Sequence, residues 1–381
     1  MSTKSSSLLV KAQLIPLVAL AGYLVFALSL LHPGLQRHFI FLHRLNYPFS
    51  PDFNAPEKYG IAPGKARNLR LTTSDGVSIG AWHILPDAYH RAHQPSPLSN
   101  SSPISEGDYD QAIKERPTVI YLHGNAANRA APFRTASYAQ FTARLQANVL
   151  AIDYRGFGDS EGRPSEEGLI LDAQAAWDWV QARRGDQDVL VVGQSLGTGV
   201  GSRIVERLTK AGQPPQALVL IAPYLSLRRL VAEYRIGGII PILAPALYIP
   251  FANQLLDWGL KTTFASDRAL PSLYATLSAS SKHGSPQQWP HLIISHATDD
   301  EVIPYSHGEL LFDTILRSDV GRRVKTTTIN GWARIEQFQV GGVGPSVTLV
   351  RTESGGHNTV GEGIVDIVRD VVGLDSASKQ E

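Results

Sequence analysis

The stretch that most constrains this chain is Gly193-Gln194-Ser195-Leu196-Gly197. An apolar, β-branched run, Val189-Leu190-Val191-Val192, precedes it and reads as a buried strand. The residues from Thr198 to Leu208 follow it and read as a helix. A G-x-S-x-G between a strand and a helix is a sharp turn that lifts a serine hydroxyl above the edge of a sheet. Lifting it strains the backbone at the serine. The turn has no room for a Cβ two residues to either side, so glycine stands there. The helix that opens at the turn aims its first amides, and its positive dipole end, at whatever the serine attacks.

The 381 residues accommodate one large α/β domain with an insertion, or two small domains. Hydrophobic content of 43% against 18% charged residues supports a sizeable core rather than global disorder. A formal net charge of +1 gives no electrostatic case for nucleic acid as a partner. With Cys 0, disulfides, thiolate zinc sites and a cysteine nucleophile are all excluded.

Residues Ala12 to Leu31 carry no charge, and Lys4, Lys11, Arg37 and Arg44 flank them. At about 1.5 Å rise per residue the run matches the roughly 30 Å of bilayer hydrocarbon. A cleaved signal peptide and a buried core helix are the alternatives, but a signal's apolar region would span only about 7–15 residues, and this one continues through Leu31. The expectation is a tail and single-pass membrane anchor over 1–40. Its flanking charges are too evenly balanced to orient it strongly. Asn100-Ser101-Ser102 is a glycosylation sequon. It is used only if the domain carrying it faces a lumenal or extracellular side, an endoplasmic reticulum membrane with a lumenal domain being one such arrangement.

Residues 41–66, with Pro48, Pro51, Pro56 and Pro63, read as a connecting segment. Asn68–Thr73 and Val77–Ile84 alternate with period 2 around Ser74-Asp75-Gly76, the pattern of a hairpin. Residues 86–116 are rich in Ser, Pro and acidic groups and read as an exposed loop; His90 and His93 in it read as solvated rather than metal-binding. Thr118–Leu122 is a strand run ending in His123-Gly124-Asn125, and Asn148–Asp153 is another, ending in Tyr154-Arg155-Gly156-Phe157-Gly158-Asp159-Ser160. The spacing of the later glycines does not fit a dinucleotide loop, and the next helix opens only after Pro164-Ser165.

Beyond the strand Ala217–Ala222 the α/β alternation breaks for about sixty residues. The uncharged run Ile236–Leu256, broken by Pro241, Pro245 and Pro250, reads as a hydrophobic lid over an apolar pocket; a packed helix pair and a second membrane span are the alternatives. The strand Leu292–Ser295 leads into His296-Ala297-Thr298-Asp299-Asp300-Glu301-Val302-Ile303-Pro304, and the strand Val347–Val350 into Gly355-Gly356-His357. Residues 321–345 read as an exposed insertion.

His-Gly-Asn, Asp-Tyr-Arg-Gly-Phe-Gly-Asp-Ser and Gly-Gln-Ser-Leu-Gly together resemble the α/β-hydrolase superfamily. The anchor, Ala62-Pro63-Gly64 and the hairpin ending Gly80-Ala81-Trp82-His83 narrow the resemblance to the membrane-anchored lipases of the α/β-hydrolase domain-containing 12 type, over most of residues 40–370. The resemblance implies a doubly wound, mostly parallel α/β sheet with a helical cap: core over 67–225 and 288–373, cap over 226–287, tail over 374–381. It implies Ser195 as nucleophile and oxyanion amides at Leu196 and Asn125. The acid follows the family pattern at Asp300, with Asp299 as its rival and Ala297 standing where glycine is usual. Of the histidines after the acid, His307 opens a helix at Ser306–Leu316, too close in sequence to swing back to the elbow, whereas the glycine pair gives His357 the reach of a base. His123 precedes the nucleophile and reads as structural.

The expected activity is hydrolysis of carboxylic esters of lipids, monoacylglycerols or lysophospholipids, through an acyl-enzyme, with no metal or organic cofactor. A serine peptidase on the same residues and a non-catalytic membrane-anchored interaction protein are the alternatives. No charged group to grip a peptide terminus can be located for the first, and the second has no use for a strained elbow.

Overall fold

A computed structural model of the chain describes residues 3–94, 103–184, 188–236, 240–241, 244–248, 250–281, 289–318, 323–342 and 344–374. The Asn100 sequon lies outside them. The strands are β1 (Ala66–Thr72), β2 (Ser78–Ile84), β3 (Thr118–Leu122), β4 (Asn148–Ile152), β5 (Val189–Gln194), β6 (Ala217–Ile221), the short pair β7 (Arg235–Ile236) and β8 (Ile240–Pro241), β9 (His291–Ala297), β10 (Lys325–Ile329), β11 (Ala333–Gln339) and β12 (Ser346–Thr352). Helices α1 (Thr3–Ser29) and α2 (Pro33–Phe41) precede the sheet, and α3 (Asp87–His93) and α4 (Glu106–Glu115) separate β2 from β3. Then α5 (Pro132–Arg144), α6 (Glu166–Arg184) and α7 (Leu196–Lys210) follow β3, β4 and β5. Helices α8 (Leu227–Glu233), α9 (Ala252–Gly259) and α10 (Ser266–Ser281) lie between β6 and β9, and α11 (Ser306–Ser318) and α12 (Glu362–Val372) complete the order.

The main sheet runs β1-β2-β4-β3-β5-β6-β9-β12-β11-β10. From β4 to β12 every pairing is parallel, and antiparallel strands flank both ends. Strands β3, β4, β5 and β6 are buried at every residue, as parallel strands covered on both faces are. Period-2 alternation divides them between two cores. Ile120, Leu150, Val191 and Leu218 face α6 and α7 through Leu169, Trp177, Val200 and Ile204. Val119, Val149, Val192 and Val219 face α5 and α12 through Tyr138, Phe141, Val365 and Val368. The sheet is thus doubly wound, and the carboxyl ends of β3, β5, β9 and β12 carry the functional loops.

One expectation needs correction, and two gain detail. Residues 86–116 are not a bare loop: α3 and α4 pack through Tyr89, Tyr109, Ala112 and Leu85, and a Ser105/Asp108 capping box starts α4. His93 stacks on Tyr89, and His90 Nε2 bonds the Pro63 carbonyl at 3.0 Å. Residues 321–345 hold the hairpin β10–β11, which extends the sheet beyond β12. The proline-rich 41–66 packs into the fold, with Phe41, Phe53 and Ile61 buried and the Trp82 indole donating to the Phe53 carbonyl at 2.8 Å.

At the amino terminus, among the described residues, no single helix is long and apolar enough to cross a membrane. The stretches Gln13–Ser29 and Pro33–Phe41 meet that test only together, across a 91° bend. Pro33 opens α2 afresh, with the His32 side chain accepting the Gly34 amide. Ile15, Val18 and Val25 on α1 are exposed to about the same degree, at 70%, 68% and 68%.

Candidate active site

Ser195 links β5 to α7 with φ 51° and ψ −118°, a conformation costly for a residue with a Cβ. Two glycines make the turn possible. A Cβ on Gly193 would run into the Gly197 carbonyl, and one on Gly197 into the Leu122 carbonyl. The Ser195 amide still donates to Ile221 of β6 at 3.0 Å, so the strained residue stays tied to the sheet.

His357, on the loop after β12, brings Nε2 to 2.9 Å from Ser195 Oγ. Its Nδ1 faces Asp300 Oδ2 at 2.9 Å and Oδ1 at 3.1 Å. The tautomer that fits donates from Nδ1 to the carboxylate and accepts the serine proton at Nε2. Asp300 Oδ1 also accepts the Val302 and Ile303 amides, at 2.8 and 2.9 Å. His296 Nε2 lies 3.3 Å from Asp300 Oδ2. Burial by itself would raise the Asp300 carboxyl, but hydrogen bonds from His296 and His357 hold it well below the usual carboxylate range. Asp299 faces elsewhere, accepting the amides of Gly356 at 2.8 Å and Gly355 at 3.3 Å. His307 sits away from the serine, accepting the Leu225 amide at Nδ1 and approaching Glu233 at 3.1 Å.

Leu196 is the first residue of α7, and Asn125 follows the end of β3. The loop between β3 and α5 lies against the nucleophile: a Cβ on Gly124 would stand 3.2 Å from Ser195 Cβ. Within it the amides of Ala126, Ala127 and Asn128 are committed to Phe41, Leu45 and Tyr47 carbonyls. His123, beneath this loop, is buried, and burial pushes its imidazole down to about 4, so it stays neutral.

A cavity of about 670 Å³ opens over Ser195 and His357. Among the described residues its apolar lining includes Phe39, Ile40, Leu42, Leu45 and Tyr47 from α2 and the segment after it, and Leu227, Leu230, Val231 and Tyr234 from α8 and its end. Part of the run 236–256, read as a lid, lies outside the described residues. Phe251 is 78% exposed and lies outside the lining. Leu243 and Ile249 fall outside the described residues. Among the described residues no group of three or more His, Asp or Glu could hold a metal ion.

Sequence reasoning missed Arg134. It is buried, and its Nη2 donates to the carbonyls of Gly124, Asn125 and Ala126 at 3.0, 3.3 and 2.7 Å. It also missed Gln194, whose side-chain oxygen accepts the Tyr121 hydroxyl and whose amide reaches the His357 carbonyl at 3.5 Å. A lone arginine in an amphipathic helix gives no local signal of a role at the preceding loop. Gln194, inside the elbow motif, could have been found by position.

A family model described as the alpha/beta hydrolase fold matches residues 117–235. Lysophosphatidylserine lipase ABHD12 of Rattus norvegicus is 32% identical over 282 residues, 74% of this chain and 64% of that protein. The Danio rerio protein of the same name is 31% identical over 287 residues, covering 75% of this chain and 68% of its own. Protein ABHD12B of Homo sapiens is 31% identical over 282 residues, 72% of this chain and 68% of that one. The chain thus spans about two thirds of the length of the curated relatives it matches. An α/β-hydrolase of Vibrio vulnificus superposes with a TM-score of 0.53 at 14% identity, over 89% of this chain and 92% of that one. The Pyrococcus furiosus esterase Pf2001 does so with 0.51 at 17% identity, over 87% and 97%. At such identities the likeness is one of fold.

Proposed function

The chain belongs to the ABHD12-type α/β-hydrolases, and on that premise we propose that it is a membrane-held serine hydrolase that cleaves carboxylic esters of lysophospholipids or monoacylglycerols. The observation that carries the reading is the relay from Ser195 Oγ through His357 to Asp300 at the base of an apolar cavity. In this mechanism His357 takes the Ser195 proton as Oγ attacks the ester carbonyl. Asp300 holds the imidazole orientation and stabilises its cation. The Leu196 and Asn125 amides stabilise the oxyanion. The alcohol leaves with the proton from His357, and water then releases the fatty acid from Ser195 by the same steps.

Lysophosphatidylserine comes first among the substrates because relatives bear that name. Two features support a membrane as the place of work. The apolar side chains of α1 are exposed. Beside its end, α9 packs on Leu31, and the nearby Tyr248, Phe251 and Trp258 are 90%, 78% and 72% exposed. Trp and Tyr favour the bilayer interface.

The test is labelling of the full chain with a fluorophosphonate and release of fatty acid from lysophosphatidylserine and monoacylglycerol in mixed micelles. Ser195→Ala should lose labelling and hydrolysis while its thermal melt stays near that of the parent. Full labelling of that variant removes Ser195 from the role. Brisk cleavage of peptide amides in preference to esters removes the lipase reading.

A further inference from the structure

Ala126 and Ala127 adopt φ 54° and 52°, a left-handed conformation that residues with a Cβ avoid. Two alanines in succession there need outside support. It comes from a part of the chain that the sequence presents as a connector. Ala126 donates to the Phe41 carbonyl at 3.0 Å, Ala127 to Leu45 at 2.6 Å and Asn128 to Tyr47 at 3.2 Å. The Asn128 side-chain amide adds bonds to Asn46 Oδ1 at 2.6 Å and to the Pro48 carbonyl at 3.2 Å. On the other side Arg134 gathers the loop's carbonyls. The loop that carries the Asn125 amide is clamped between the two.

The clamp is itself fixed. Gln36, buried on α2, donates to the Leu30 carbonyl at the end of α1 and to Gly259 at the end of α9, at 3.2 and 3.1 Å, and accepts the Lys261 amide at 3.0 Å. Backbone and side-chain contacts therefore run from the end of α1 to the loop beside Ser195.

We infer that residues 36–48 are a positioning strap for the oxyanion loop: the segment joining the apolar helix to the sheet holds Ala126–Asn128 in their strained conformation, and through them the Asn125 amide. This rests on the proposed role of Asn125 as an oxyanion donor. Asn46 and Asn128 are positioning residues, acting on the transition state through that amide and not on substrate. A loop that relaxes withdraws a donor from the tetrahedral intermediate, while Phe39 and Ile40 on α2, held by Gln36, and the lining from α8 keep their places in the acyl site. The loss then falls on kcat rather than on KM.

The experiment uses the full chain in micelles with Asn128→Asp, which keeps the side-chain oxygen that accepts the Ala130 amide but removes the donor to Asn46 and Pro48. Asn46→Ala, at a half-buried position, is the second variant and decides the matter if the first does not fold. Three probes are read: p-nitrophenyl butyrate turnover, affinity for an alkylboronic acid that forms a tetrahedral adduct on the serine, and affinity for a non-hydrolysable ether lysolipid. Removing an oxyanion donor outright costs about 10²–10³ in kcat, so loosening one is expected to cost about tenfold in Asn128→Asp and about threefold in Asn46→Ala, with KM within about twofold. Boronate affinity should fall by the same factor as kcat/KM, and ether affinity should stay. Unchanged kcat and boronate affinity in a folded variant overturns the strap, as does an equal loss for boronate and ether ligand. If the parent fails to bind boronate and Ser195→Ala retains turnover, the hydrolase reading has fallen and the strap falls with it.

Discussion

Asp299 accepts the amide of Gly356 at 2.8 Å, one residue before His357, while its chain neighbour Asp300 contacts the His357 ring itself. Adjacent carboxylates thus reach the same histidine by different routes. One holds the loop that presents the ring, and the other holds the ring. Gly355 and Gly356, at φ 145° and 59°, give the loop the turn that brings its amides onto Asp299.

This separation predicts a graded response. Asp300→Asn should lower kcat about 10³–10⁴-fold, the loss seen when an orienting carboxylate is removed from a triad. Asp299→Ala should cost up to about 100-fold, the scale of a slightly misplaced catalytic group. Asp299→Asn should recover much of that, because its oxygen still accepts an amide. Steady-state kinetics on one soluble ester rank the three, and Asp299→Asn falling as far as Asp300→Asn would reverse the roles.

Arg134 leads to a second prediction. All three of its contacts with the loop carbonyls run from one nitrogen, Nη2, at the far end of the planar guanidinium. A lysine stem is one atom shorter and more flexible, so it does not hold its ammonium at that point. Arg134→Lys keeps the charge but should lower kcat about tenfold or more, since the oxyanion loop loses one side of its clamp. Equal kcat in Arg134→Lys and parent, measured on p-nitrophenyl butyrate, would show that charge alone suffices.

The sequence made the central sheet legible because β3 to β6 are continuous apolar runs bounded by functional turns. It made Ser195 and His357 conspicuous because Gly193 and Gly197 flank the one and Gly355-Gly356 lead into the other. The hairpin β10–β11 was opaque for a physical reason. Every residue from Lys325 to Ile329 is exposed, so no hydrophobic alternation marks the edge strand. The strap was opaque for another. Its contacts to the oxyanion loop use the carbonyls of Phe41, Leu45 and Tyr47, and a backbone acceptor leaves no trace in residue type. The cavity lining near Phe39 and Leu230 was opaque because those apolar stretches are short and interrupted by polar residues, whereas the longer apolar run 236–256 drew attention to itself.

The third prediction concerns acid. His83, His123 and His307 are buried, and burial is the chief cause that pushes them down, to about 3, about 4 and about 4. His83 is committed at both nitrogens, accepting from Arg67 Nε at 3.2 Å and donating to Asn148 Oδ1 at 2.9 Å. An unfolded chain protonates histidine near about 6.5. Between that pH and the depressed native values the unfolded state binds protons that the native state refuses, so stability falls as pH falls. Each such histidine contributes at most about 1.4 kcal/mol per pH unit in that window. Asp300, depressed by its histidine partners, adds its own loss only below the ordinary carboxylate range. Urea unfolding at pH 7, 6 and 5 should show a steady decline, shallower in His83→Gln. A stability that is flat from pH 7 to 5 would contradict neutral burial.

The last prediction separates the cavity wall from the exposed apolar surface. Phe39 on α2 and Leu230 on α8 both line the cavity, whereas Phe251 and Trp258 do not line it and stand exposed. Each methylene buried in an apolar pocket is worth about 0.8 kcal/mol, so lengthening a bound chain by four carbons gains up to about 3 kcal/mol before ordering costs. The parent should therefore gain kcat/KM with acyl length until the cavity fills. Leu230→Ser and Phe39→Ser should flatten that rise while leaving a four-carbon ester nearly unaffected. Phe251→Ser and Trp258→Ser should leave the whole series of soluble esters unchanged and instead slow hydrolysis of lysophospholipid presented in vesicles. The measurement is kcat/KM for esters of four to sixteen carbons below their aggregation limits, beside vesicle turnover for the same four variants. A rise that survives Leu230→Ser and Phe39→Ser but collapses in Phe251→Ser would move the acyl site back to the segment between α8 and α9.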